Sequence, residues 1–299
     1  MKRQILIVLF LTFCLTGVYA QIFYKIEGNG QKYPSYIFGT HHMAPVSVIN
    51  DYDALKYLED VEQVVGEIDM TADPMAIAMA MQSHLLAPPD STISKVIPED
   101  KFETVNDTLK KWFPMQGMDL TMFEPLKPAV VTTTITAGIM SQLMPGFDPE
   151  QQLDGYFQTQ GKEKGKKIIG LETPEFQAAL LYDRIPISIQ AQDLLELIKE
   201  PEKLVKNANK LNQAYLNGDL ETLSTLSEND EPSSDFEKAL LDERNIKWLE
   251  ILPEIMSDGS TFIVVGALHL PGEKGVLDGL KNLGYSISPL QKIESPATR

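Results

Sequence analysis

The stretch Thr261-Phe-Ile-Val-Val-Gly-Ala-Leu-His269 decides the fold class of this chain. Its aromatic and β-branched residues predict a buried strand that runs to Gly266, and His269 follows three residues later. Near the other end, Tyr36-Ile-Phe-Gly-Thr-His-His42 repeats the pattern around Gly39. We expect each glycine to let the backbone turn sharply. Two such G-x-x-H stretches indicate one sheet built from both ends of the chain.

Two further apolar strands lead to an acidic residue. Gln63–Ile68 contains Glu67, and Lys166–Leu171 is followed directly by Glu172. Ligands of open α/β sheets bind at the carboxyl ends of the strands. We therefore expect both glutamates to lie at the same sheet edge as the histidines.

The middle of the chain has helical periodicity, interrupted by prolines. A threonine N-cap with proline in the first helical position is expected at Thr173-Pro174. The resulting prediction is an α/β (α+β-like) fold: a mixed central sheet with flanking helices and a helical insertion at about residues 73–235. The main candidate helices are Pro74–Leu85, Pro98–Trp112, Lys127–Leu143, Ser188–Ile198, Glu202–Leu216, and Asp235–Leu252 with a stop at Pro253.

The first 20 residues are predicted to be a cleaved signal peptide. Lys2 and Arg3 precede an apolar run, and Val18-Tyr19-Ala20 supplies small residues for cleavage. Cleavage would remove Cys14, the only cysteine, and thus exclude thiol chemistry. The expected mature protein is a single domain, residues 21–299, that is periplasmic or secreted.

The chain is strongly acidic, with a net charge of −16 that becomes −18 without Lys2 and Arg3. Such a charge is repelled by phosphate backbones and anionic membranes, so we expect no nucleic-acid partner. No stretch of the mature chain is apolar and long enough to predict stable membrane insertion.

Two imidazoles and a carboxylate are a common ligand set for a catalytic divalent metal. His42, Glu67 and His269 could supply it, and Glu172 could be a ligand or a base. The alternative is that the histidines are hydrogen-bonded core residues. For Glu172, the alternative is a favourable charge at a helix N-terminus.

Three other polar residues are ambiguous from the sequence alone. Arg244 and Asn245 lie on a predicted helix and would either form its solvated face or bind a substrate carboxylate or oxyanion. Asp154 has the same ambiguity.

Five stretches, in this order, resemble the TraB/GumN family, which includes the TIKI metalloproteases. They are YIFGTHH, VVGEID, LDGYFQTQGKEKGKKIIGLETPEFQ, LLDERNIKW and FIVVGALHLPGEKGVLDGLKNLGY.

The resemblance implies a mixed sheet of two related halves and a metal-dependent peptidase site at His42, Glu67 and His269. It implies manganese or cobalt, with zinc as an alternative. Arg244 and Asn245 match an R-N pair of the family. The family usually has one histidine in the first motif, so His41 would be a neighbouring group or simply exposed.

These observations predict an exported metal-dependent hydrolase, in the first place a peptidase acting on a peptide or protein. Glu67 or Glu172 would move the proton, and Arg244 would bind the substrate. The alternatives are a non-enzymatic haem-, metal- or peptide-binding protein, and a hydrolase of a non-peptide ester or glycan.

Overall fold

The computed structural model describes residues 21–115, 117–144, 148, 151–228 and 239–293, with only the backbone at 226–228. The predicted signal peptide and the predicted helix start at Asp235 lie outside these residues. No helix within the described ranges is long and apolar enough to cross a membrane.

A six-stranded mixed sheet forms the centre of the fold and confirms the predicted fold class. Its order is β4-β3-β5-β2-β1-β6. The four strands from β4 to β2 are parallel, whereas β1 runs antiparallel to both β2 and β6. The strands are β1 Phe23–Gly28, β2 Ser35–Thr40, β3 Gln63–Gly66, β4 Lys167–Gly170, β5 Thr261–Gly266 and β6 Tyr285–Pro289.

The apolar runs form the central strands because both faces of the sheet are covered. Every residue of β2 and β3 is buried, as are the first five of β5. Phe38 pairs with Val264, so the two G-x-x-H stretches enter the sheet on neighbouring strands.

Helices account for most of the remaining described chain. They are α1 Ala54–Glu59, α2 Pro74–Leu85, α3 Ile93–Val96, α4 Glu99–Trp112, α5 Pro128–Leu143, α6 Leu153–Glu163, α7 Pro174–Tyr182, α8 Ile187–Lys199, α9 Pro201–Leu216, α10 Leu220–Glu228, α11 Asp242–Asp258 and α12 Val276–Asn282. Short 3₁₀ helices cover Val46–Tyr52, Leu120–Phe123 and Ala267–His269.

The predicted stop at Pro253 is wrong, because α11 continues through it to Asp258. Proline removes one backbone donor and crowds the preceding turn. Here Leu252 and Met256 are buried on either side of it. Tertiary packing therefore holds the helix together across the proline.

Two large apolar cores lie in this fold. The first surrounds the sheet. The second is formed within the insertion by α3, α4, α5 and α8 around residues such as Ile93, Leu109, Ile135 and Leu194. The apolar strand predicted at Lys166–Leu171, within the insertion, is present as β4 and belongs to the central sheet.

Candidate active site

Four neighbouring parallel strands deliver the predicted groups to one edge of the sheet. Glu172 follows β4, Glu67 follows β3, His269 lies in the 3₁₀ helix after β5, and His42 follows β2. This edge holds the carboxyl ends of the strands, where α/β sheets bind ligands.

The glycines of the two G-x-x-H stretches differ in their surroundings: a β-carbon on Gly39 would collide with its neighbours, whereas one on Gly266 would come no closer than 3.4 Å to Glu67 Oε1. The expected sharp turn does not arise from left-handed backbone, since neither Gly39 nor Gly266 has a positive φ. A Cβ on Gly39 would lie 2.6 Å from Leu270 Cδ1 and 3.0 Å from Ala267 Cα. The Gly266 N–H donates to Glu67 Oε1 at 2.9 Å.

Arg244 is buried at the centre of the polar cluster. Its Nε and Nη2 donate to Glu172 at 2.9 and 2.8 Å, and Nη2 also donates to Glu67 Oε2 at 2.6 Å. Its Nη1 contacts the Leu240 carbonyl and His269 Nε2, each at 3.1 Å. These partners engage all five guanidinium N–H groups, and burial of Arg244 excludes its interpretation as a solvated helix face.

The contacts of His269 define its tautomer. Asn245 Nδ2 donates to the Lys274 carbonyl at 2.9 Å, which leaves Asn245 Oδ1 as the acceptor from His269 Nδ1 at 2.6 Å. Nε2 therefore carries the lone pair and accepts from Arg244. Burial, together with the Arg244 charge, lowers the pKa of His269 to about 4 despite nearby Glu67. The imidazole is neutral at pH 7.

The two glutamates differ in access. Burial alone would raise the pKa of Glu67, but His269, which is protonated at the low pH where Glu67 titrates, holds it at about 2 together with the positive charge of Arg244 and the Gly266 N–H. The Glu67 side chain is 22% exposed, while that of Glu172 is 5% exposed. Glu172 accepts from Arg244, from Trp248 Nε1 at 3.0 Å and from Gln177 Nε2 at 3.2 Å. Glu172 therefore holds Arg244 in place from a position that does not line the cavity.

His42 pairs with Asp154 on the other side of the cluster. The His42 side chain is 70% exposed, and its Nδ1 lies 3.8 Å from Asp154 Oδ2. Asp154 is buried, and its Oδ1 accepts from the Thr40 hydroxyl at 2.7 Å. Its Oδ2 has no hydrogen-bond partner among the described residues. Burial and the negative charge of Glu67 raise the pKa of Asp154.

His41 points away from this pair and packs on Tyr215, with ring centroids 5.3 Å apart. Its Nε2 is buried and finds no hydrogen-bond partner in the described part of the chain. Burial lowers the pKa of His41 to about 4, and His42 adds to the effect. His41 is therefore a neutral residue in the wall of the site.

The three predicted metal ligands face one cavity without forming a ready ligand shell. Glu67 Oε1 and His269 Nε2 are 3.8 Å apart, while His42 is turned toward Asp154. Among the described residues, no group of three or more His, Cys, Asp or Glu side chains is arranged to hold a metal.

The cavity has a volume of about 310 Å³ and is lined by polar side chains and by leucines. The polar wall contains His41, His42, Glu67, Gln177, Arg244 and His269. The remaining lining residues are mainly seven leucines, called the leucine wall below, including Leu180, Leu211, Leu223, Leu240 and Leu268. Glu172 and Asp154 lie behind the polar wall and do not line the cavity.

Sequence reasoning missed Gln177 and Trp248, which both hydrogen-bond to Glu172. Trp248 lies four residues after Arg244 on α11, so the i, i+4 spacing could have linked them. Gln177 is placed by the predicted cap of α7, where Thr173 Oγ1 accepts from Phe176 N at 3.1 Å.

Comparison with known proteins gives a family but no individual relative. No curated protein and no solved structure matches this chain significantly. The sequence model of the TraB/PrgY/gumN family matches residues 22–289. This range covers most of the chain and includes every residue of the site described above. The chain therefore belongs to the TraB/PrgY/gumN family.

Proposed function

We propose that this protein is an exported hydrolase that cleaves peptide bonds with the help of a divalent metal ion. The observation that carries the proposal is the pair formed by Glu67 and His269 at the wall of an apolar cavity. An ionised carboxylate oxygen lies 3.8 Å from an imidazole nitrogen that bears its lone pair. Both are donors that divalent metals use in proteins, and an ion bound to Nε2 would displace the Arg244 N–H group that now donates to it.

The surrounding donors fit a metal in their chemistry. Asp154 Oδ2 is buried without a hydrogen-bond partner among the described residues, and such an orphaned oxygen would be satisfied by a nearby cation. His42, Glu67 and His269 would hold the ion, with Asp154 beside His42. We propose manganese or cobalt, with zinc as the alternative. A bound divalent ion lowers the pKa of a water ligand and polarises a substrate carbonyl.

Other residues of the chain would orient His269, move a proton and bind the substrate. Asn245 holds His269 in the tautomer that presents Nε2 to the cavity. Of the two glutamates proposed to move a proton, only Glu67 reaches the cavity, although its low pKa also suits a ligand. Arg244 could contact a substrate carboxylate or oxyanion only by giving up one of its present partners.

Metal content and turnover test the proposal directly. The purified chain is expected to contain a divalent metal and to cleave members of a peptide library, with activity lost to a chelator and restored by manganese or cobalt. His42→Ala should abolish turnover. Because His42 is 70% exposed, its removal should change the free energy of unfolding by no more than about 0.5 kcal/mol.

His84→Ala is the control for loss of an imidazole elsewhere in the chain, because His84 pairs with Asp183 and lies outside the cavity. It should retain turnover. Full activity of His42→Ala would refute the assignment. Tight binding of metal, haem or peptide without turnover would favour a binding protein, and metal-dependent activity on esters or glycans alone would change the substrate class.

A further inference from the structure

We propose that the leucine wall of the cavity is a specificity subsite that takes an aliphatic side chain of the peptide, next to the cleaved bond. This inference rests on the proposed function and adds the substrate class to it. It follows from the position, the charge and the size of the cavity.

The position of the leucines brings the subsite to the reacting groups. Leu268 lies between Gly266 and His269, in the second G-x-x-H stretch itself. Leu181 on α7, Leu211 on α9 and Leu223 on α10 come from the helical insertion. A substrate bond placed at Glu67 and His269 would therefore have its neighbouring side chain against these leucines.

The charges of the cavity argue against a charged side chain. Arg244 is the only Lys or Arg among the described lining residues, and its guanidinium N–H groups are already engaged. With Glu67 engaged by the ion and Arg244, an acidic side chain placed against the leucines would find no further Lys or Arg among the described lining residues and would have to be desolvated there. A basic side chain would have to be desolvated against leucines, while Glu67 already pairs with Arg244.

The size of the cavity suits one segment of a peptide. Its volume of about 310 Å³ lies at the lower end of the roughly 300–1,000 Å³ typical of small-molecule pockets. That space can take an aliphatic side chain with its adjoining peptide groups. It cannot take a folded protein surface, so the bound part of a protein substrate would be an extended or terminal segment.

Turnover of a matched peptide series tests the inference. The peptides share one sequence that the full-length, metal-loaded protein cleaves, and differ at the residues on either side of the cleaved bond, which carry alanine, leucine, aspartate or lysine in turn. At one of these positions, leucine should exceed alanine in kcat/KM by roughly tenfold to a hundredfold. Aspartate and lysine should fall below alanine. A flat series, or equal cleavage of the charged peptides, would overturn the inference.

A matched pair of leucine variants assigns the preference to this wall. Leu181 is 41% exposed and lines the cavity, whereas Leu283 is 44% exposed and lies after α12, away from it. Leu181→Ala should reduce the leucine-over-alanine ratio at least threefold, and Leu283→Ala should leave it unchanged. Equal effects of the two variants would overturn the assignment.

Binding without turnover separates this inference from the proposed function. With chelator present, fluorescence anisotropy of labelled peptides should still rank leucine above alanine and aspartate, and Leu181→Ala should weaken that ranking. If the ranking is found but no peptide is ever cleaved, the subsite stands and the peptidase proposal fails. If peptides are cleaved without any ranking, the subsite fails alone. Faster cleavage of acyl esters than of peptides would assign the wall to an acyl chain instead.

Discussion

At the scale of single residues, Arg244 determines the electrostatics of the site. Two carboxylates, Glu67 and Glu172, share its guanidinium group, and the side chains of Arg244 and Glu172 are 8% and 5% exposed. Buried charges are tolerated when they are paired and hydrogen-bonded, and removing one partner leaves the others uncompensated. The cluster should therefore be far more sensitive to loss of Arg244 than a surface ion pair would be.

We expect Arg244→Met to lower the free energy of unfolding by about 3–5 kcal/mol, because it leaves buried carboxylates unpaired. The double variant Arg244→Met, Glu172→Met should cost less than the sum of the two single changes, since the two side chains interact directly. Urea denaturation of the four proteins gives the coupling energy.

Arg184→Met provides the control for this cycle. Arg184 also pairs with a glutamate, Glu243, but the two side chains are 44% and 51% exposed. Exposed pairs of this kind contribute at most about 1 kcal/mol. A loss for Arg244→Met that is no larger than the loss for Arg184→Met would show that the buried cluster is not held by its charges.

The common sheet edge of the predicted site residues could be read from the sequence, but the arrangement of their side chains could not. Glycine, acid and histidine at strand ends predicted Glu67, Glu172, His42 and His269 at one edge, and the strand order places them there. Whether each side chain enters the cavity depends on contacts between distant residues. The turn of His42 toward Asp154, 112 positions away, is such a contact and leaves no local pattern.

At the scale of elements, the ends of β2 and β5 depend on close approach at Gly39. A β-carbon there would collide with Leu270 and with the 3₁₀ helix that carries His269. The sequence shows a glycine at the end of the strand, but only the packing shows that Leu270 and Ala267 occupy the space next to it. Replacing a glycine by alanine should therefore destabilise this fold at one position and stabilise it at another.

We expect Gly39→Ala to lower the free energy of unfolding by about 1–3 kcal/mol through overpacking. Gly155→Ala is the matched control. Gly155 lies in α6, and its β-carbon would make only an ordinary contact at 3.5 Å with Met70. Alanine there should raise stability by up to about 1 kcal/mol, because glycine is a poor helix former. Thermal or urea unfolding of both variants checks the predicted difference in sign.

At the scale of the whole molecule, the two apolar cores have very different origins in the sequence. The second core is drawn from α3, α4, α5 and α8, which follow one another between residues 93 and 199. The first core requires β2 to pair with β5 across more than two hundred residues. Helical periodicity is local, so the insertion could be predicted. The contact between the leucines of the insertion and the sheet edge is non-local, so it could not be predicted from the sequence.

This difference in sequence separation should appear in the order of folding. Pairing two strands that are distant in sequence has a large entropic cost of loop closure, which comes before any contact is gained. Helices that pack on their neighbours in sequence have a smaller cost. On refolding from urea, pulsed hydrogen exchange should therefore show protection of amides in α4, α5 and α8 before those of β2 and β5. Protection of the two strands first would contradict this order. Because Glu67 and His269 meet only when β3 and β5 are paired, the proposed chelator-sensitive activity should return with the strand amides and not with the helical ones.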